Sequence, residues 1–108
     1  MTTVVEMVTY RLKQGVAPKE LEATNEGVNA FVKAQPGFLY RSLSQDDADQ
    51  WFDIVYWENM DAAKKAGEEF LTADIGKELC QLIDMDSCFM RHMPVNTEMM
   101  SCEIAEGV

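Results

Sequence analysis

Six side chains in this 108-residue sequence would together suit proton abstraction if the fold brought them around a cavity: Glu6, Tyr10, Tyr40, Asp53, Trp57 and His92. A carboxylate or an imidazole in an apolar pocket can take a proton from a phenolic or enolic substrate. In that constellation His92, or Glu6 with a raised pKa, would be the base. Tyr40 would orient the substrate, Trp57 would stack on it, and Asp53 and Tyr10 would complete the binding wall. Each residue taken singly has a plainer account. Glu6 and Asp53 can pair with Arg11, Arg41 or Arg91, His92 can be a half-exposed histidine near a strand end, and Trp51 and Trp57 can be core residues.

Other chemistries find little support. With one histidine and no CxxC motif, a zinc site is not expected. The aspartates of Asp46-Asp47-Ala48-Asp49 lack the DxDxDG…E ligand pattern of a calcium loop and read as a solvated turn. No metal and no cofactor are therefore expected. Cys80 has no neighbour in sequence that would lower its pKa, so it is a poor nucleophile. The three cysteines, Cys80, Cys88 and Cys102, read as reduced thiols in a cytoplasm.

Nineteen acids against nine bases give a net charge of −10, whose field repels nucleic acid and anionic membranes. The start, MTTVVEM, carries neither a basic nor an apolar leader region, so no signal peptide is expected. No apolar run approaches the roughly 20 residues of a membrane span.

The elements that must position the six residues follow from periodicity. Thr3–Lys13 alternates as a strand with Val4, Glu6, Val8, Tyr10 and Leu12 on one face and Val5, Met7 and Thr9 on the other. Both faces are apolar enough to need cover. Pro18 suits a helix start, and Leu21, Thr24, Val28, Phe31 and Val32 form one apolar stripe over about 17 residues. Gln35-Pro36-Gly37 leads into a strand, Phe38–Gln45, with Phe38, Tyr40 and Ser42 on one face and Leu39, Arg41 and Leu43 on the other. The acidic turn returns the chain as an aromatic, β-branched central strand, Trp51–Glu58.

Asn59 is a good N-cap for the next helix, whose stripe is Met60, Ala63, Gly67, Phe70 and Leu71. A break near Thr72–Gly76 should precede a short helix, Lys77–Ile83, that buries Leu79, Leu82 and Ile83. Met85–Val95 is the last strand. Residues 1–95 then make one domain and 96–108 an acidic tail, either loosely ordered or docked on a partner subunit through Met99, Met100 and Ile104.

Strand, helix, strand, strand, helix, strand folds most simply as a ferredoxin-like α+β sandwich, an antiparallel four-stranded sheet with helices on one face. The second apolar face calls for a partner, and a homodimer closing two sheets into an α+β barrel supplies it. Three stretches, YRLKQGV, PGFLYRSLS and WFDIVYWENMDAAKKA, resemble the antibiotic-biosynthesis-monooxygenase-like group of dimeric α+β barrels.

That resemblance implies a small-molecule pocket between sheet and helices and cofactor-independent monooxygenase chemistry, in which the deprotonated substrate itself reacts with oxygen. It also departs from the haem-degrading relatives. Their helix tryptophan falls near Ala66, their histidine near Cys80, and their first-strand asparagine at Glu6 or Met7. Two other readings stay open: a non-catalytic binding module, and isomerase or lyase chemistry in the same pocket.

Overall fold

Trp51, Asp53, Val55 and Trp57 are buried along one side of a strand, while Phe52, Ile54 and Tyr56 are half-buried on the other. That strand lies inside the sheet of a computed structural model that describes residues 2–100. In chain order the elements are β1 (Val4–Leu12), α1 (Pro18–Glu22), α2 (Asn25–Lys33), β2 (Phe38–Gln45), β3 (Trp51–Trp57), α3 (Met60–Thr72), α4 (Asp74–Leu82) and β4 (Ile83–Pro94). The strands pair antiparallel in the order β2-β3-β1-β4, the ferredoxin-like arrangement expected.

The helices pack on the face that carries Val4, Val55 and Trp57. There these residues meet Val32 of α2 and Ala63 and Ala66 of α3. A second cluster joins Tyr10, Trp51 and Ile83 of the sheet to Leu21, Val28 and Leu79. The core under the helices is thus in two parts, and the gap between them matters below.

Local chemistry explains the boundaries. The Asn59 side chain accepts a hydrogen bond from the Ala62 backbone N–H at 2.8 Å, the N-cap anticipated for α3. Gly37 sits at φ +88°, and a Cβ there would lie 2.7 Å from the Ala62 Cβ, so the Pro-Gly turn can press against α3 only with glycine. In the acidic turn, one Asp46 carboxylate oxygen accepts from the Ala48 and Gln50 backbone N–H groups, both at 2.9 Å. Those bonds hold its pKa below the usual carboxylate value.

Several details differ from expectation. The first helix is interrupted at Ala23–Thr24. The buried Thr24 hydroxyl donates to the Leu21 carbonyl at 2.6 Å, and its backbone N–H bonds the same oxygen, which tightens the turn. The second break falls at Ala73, so α4 starts at Asp74 and Ile83 already belongs to β4. Leu71 is exposed, not part of the buried stripe, whose inner positions are Ala63 and Ala66.

The largest difference is in β2. Phe38 pairs with Trp57 but Tyr40 with Tyr56, a one-residue slip that makes Leu39 a bulge. Since side chains alternate strictly, the slip puts Phe38 on the helix side with Arg41 and sends Tyr40 to the opposite face. Of the tail, residues 96–100 are described and exposed, Met99 and Met100 included; Ile104 lies outside the described residues. No helix among the described residues is long and apolar enough to cross a membrane.

Candidate active site

The register of β1 decides which polar groups meet. Glu6 lies opposite Val55 of β3 on one side and His92 of β4 on the other. All three side chains therefore project toward the helices. The Trp57 indole N–H donates to Glu6 Oε1 at 3.2 Å, and His92 Nε2 lies 3.3 Å from the same oxygen. Burial pushes the Glu6 carboxyl above its usual pKa of 4.5, against the lowering pull of His92 and Trp57.

The second polar group is an ion pair. Arg41, turned inward by the β2 bulge, makes two parallel bonds to Asp53, Nε to Oδ1 at 3.0 Å and Nη2 to Oδ2 at 2.8 Å. Its Nη1 donates to Asn29 Oδ1 of α2 at 2.7 Å. Little of either charged side chain reaches solvent, 7% for Arg41 and 11% for Asp53. A bidentate guanidinium–carboxylate pair is the geometry that makes such burial tolerable.

Between the two core clusters these groups border a cavity of about 180 Å³. Its wall includes Glu6, Trp57, Arg41, Asp53 and Tyr10, with Val8, Val28, Val55 and Phe70 supplying much of the apolar surface. Leu71, Met85 and Met90, all more than half exposed, stand where the cavity meets solvent. An apolar enclosure of roughly 150 Å³ is enough to hold a benzene ring. This one has room for a small aromatic body.

The six sequence candidates divide accordingly. Glu6, Tyr10, Asp53 and Trp57 line the cavity. His92 shares their side of the sheet but reaches the cavity only through Glu6, which makes Glu6 the group that faces a ligand. Tyr40 is a correction: it packs against Tyr56, ring centroids 6.2 Å apart, on the sheet face away from the helices. The bulge at Leu39 is the cause.

Arg41, which the sequence offered only as one of three possible ion-pair partners, joins the site because the β2 bulge and the β2–β3 register turn it toward Asp53. The thiols of Cys80 and Cys88 also line the cavity. Burial raises the Cys88 pKa, which makes that thiol a poor nucleophile. Among the described residues, no group of three or more His, Cys, Asp or Glu side chains could hold a metal ion.

Comparison with known proteins gives a consistent picture of the fold. Residues 3–71 match the family model for antibiotic biosynthesis monooxygenase. SnoaB from Streptomyces nogalater, a cofactor-independent oxygenase, superposes with a TM-score of 0.74 at 20% identity, over 94% of this chain and 100% of its own. A MhuD variant with two manganese protoporphyrin IX molecules bound per active site superposes at 0.72 and 20% identity, over 91% and 99%. PA3566 from Pseudomonas aeruginosa does so at 0.58 and 18%, over 90% and 97%. Among curated proteins none matches. A haem does not fit the cavity seen here: about 180 Å³ does not enclose a porphyrin.

The raised Glu6 pKa has a consequence for stability. Over the interval from 4.5 up to the folded-state value, the native chain holds a proton that the unfolded chain has released. Stability should therefore fall as pH rises through that interval. Glu6→Gln removes the slope, so its urea midpoint should exceed that of the wild type above the interval and approach it below pH 4.5. Parallel wild-type and variant curves between pH 4 and 8 would contradict the assignment.

Proposed function

This chain belongs to the antibiotic biosynthesis monooxygenase family, and from that premise we propose that it is a cofactor-independent monooxygenase acting on a small, partly aromatic molecule held between sheet and helices. The observation that carries this reading is the Glu6 carboxylate in the wall of an apolar cavity, braced by Trp57 and backed by His92. A carboxylate with a raised pKa is a stronger base than an exposed one, and the low dielectric around it sharpens its interaction with a developing charge.

The chemistry balances without a cofactor. Glu6 takes a proton from an activated CH₂ group beside a phenol or ketone, leaving a carbanion delocalised as its enolate. That anion gives one electron to dioxygen, and the radical pair combines to form a carbon–oxygen bond. Protonation and loss of water then convert CH₂ to C=O. One oxygen atom ends in the product and one in water, and all the electrons come from substrate. His92, partly exposed, returns the proton from Glu6 to solvent. Trp57 holds the oxygen of Glu6 in place and offers its ring to the substrate plane.

The same Glu6–His92 relay would also serve an isomerase or lyase, since proton abstraction needs no oxygen. Oxygen consumption separates the two. With a substrate that carries a CH₂ group beside a phenol or ketone, the wild type should consume dioxygen, and Glu6→Gln should lose at least about a hundredfold in rate, the usual worth of a general base. Tyr40→Phe, on the far face, should keep the activity. The acid limb of the wild-type kcat/KM profile should lie above pH 4.5. His92→Gln removes a group that lowers the Glu6 pKa, so its limb should move to higher pH. Undiminished turnover in Glu6→Gln would sink the proposal; proton exchange into substrate without oxygen use would favour the isomerase.

We also propose a homodimer through the open sheet face, where Leu39, Tyr40 and Phe89 are each about half exposed. An apolar patch of this kind on a sheet seeks a like surface. Native mass spectrometry should give twice the 12.2 kDa chain mass, and Phe89→Asp should give the monomer. A monomeric wild type at micromolar concentration would overturn this.

A further inference from the structure

Every buried polar side chain described so far has a partner, with one exception. Tyr10 is 1% exposed, it lines the cavity, and its hydroxyl has no hydrogen-bond partner among the described residues. An unsatisfied buried hydroxyl is costly, and such groups in native proteins call for an explanation. Neighbouring polar groups do not supply one. Asp53 is bonded by Arg41, Arg41 in turn by Asn29, and none of the three bonds the Tyr10 hydroxyl.

Position adds a second constraint. Glu6 and Tyr10 are four residues apart on the same side of β1, so their Cα atoms are about 13 Å apart along the strand. Val8 lies between them in the cavity wall, with Asp53 opposite it on β3. The cavity therefore has the Glu6 carboxyl toward one end of this stretch of β1, Tyr10 toward the other, and the mutually neutralised Arg41–Asp53 pair beside Val8 between them. At the Glu6 end a carboxylate accepts; at the other end a phenol can donate.

We infer that the Tyr10 hydroxyl is the anchor for a ligand oxygen, a phenolic hydroxyl or a carbonyl, at the end of the cavity opposite Glu6. This deepens the proposed function, and rests on its reading of the cavity as a ligand site, but requires no catalysis. The ligand is then a flat aromatic body with an oxygen function remote from the carbon presented to Glu6. Burial keeps the Tyr10 phenol protonated, with the carboxylate of Asp53 acting in the same direction, so it stays a donor across the physiological range. Arg41 and Asp53 fix the polar lining around it and keep the site neutral. A site built to bond an oxygen discriminates against the analogue that lacks it, because the donor is then left unpaired.

The test is a pair of probes against a pair of proteins. Calorimetric titration with 2-naphthol and with naphthalene, both sized for the cavity, compares the full-length wild type with Tyr10→Phe. In the wild type 2-naphthol should bind about tenfold more tightly than naphthalene, the worth of one buried hydrogen bond. In Tyr10→Phe that preference should vanish, with naphthalene binding unchanged. The ligand-free variant should also melt no lower than the wild type, because only an unpartnered hydroxyl has been removed.

A preference for 2-naphthol that survives in Tyr10→Phe would overturn the anchor while leaving the cavity as a ligand site. Equal weakening of both probes would assign Tyr10 to packing and overturn it as well. A lower melting temperature for the ligand-free variant would mean that the hydroxyl has an internal partner. Failure of the wild type to bind either probe would overturn the cavity reading itself, and the anchor with it.

Discussion

The buried ion pair of Arg41 and Asp53 is the constraint on which the rest of the helix-facing side depends. Two charges under a layer of helices are tolerable only when each satisfies the other, and the guanidinium does so with two parallel bonds. To reach Asp53 from the edge strand, Arg41 must point inward, which the slip at Leu39 allows. With this pair in the middle of the sheet, the apolar residues cannot close into one core. They gather instead into two clusters, one around Trp57 and Ala63, the other around Tyr10 and Leu79. The cavity is what lies between.

Around that cavity the polar groups are held by side chains from all four strands and one helix. Glu6 sits on β1, Trp57 on β3, His92 on β4, and Arg41 on β2, where Asn29 of α2 braces it. Because β1 is central and hydrogen-bonded on both sides, the position of Glu6 is set by two ladders at once. A base held this way spends little on reorganisation when a proton moves. Beyond Glu6 the lining is quieter: a neutralised ion pair midway and one phenol past it. The protein's strong negative charge lies elsewhere, on exposed acids of the helices and the β2–β3 turn.

Much of this was legible in the residues themselves. Alternation in β1 and β3, the Asn59 cap and the Pro-Gly turn are local signals, and the fold follows from their order. The placement of Glu6, Tyr10, Asp53 and Trp57 on one side also follows, because β1 and β3 pair without a slip. Tyr40 was unreadable for a specific reason. A bulge shifts parity by one without leaving a mark in composition, so Phe38 and Tyr40 look like neighbours on one face and are not. The break at Thr24 was hidden likewise, since a threonine in an apolar stripe fits a continuous helix until its hydroxyl takes the Leu21 carbonyl. The role of Arg41 depended on both the bulge and the cross-strand register, and neither is a property of a single segment.

The measurement that bears most directly on this account is a carbon-13 NMR titration of the Glu6 carboxyl in the ligand-free protein. A base poised in the wall of an apolar cavity should titrate above the ordinary value of 4.5, and further above it when His92 is replaced by glutamine. A midpoint at or below 4.5 would contradict it, and would make Glu6 one more structural carboxylate beside a histidine.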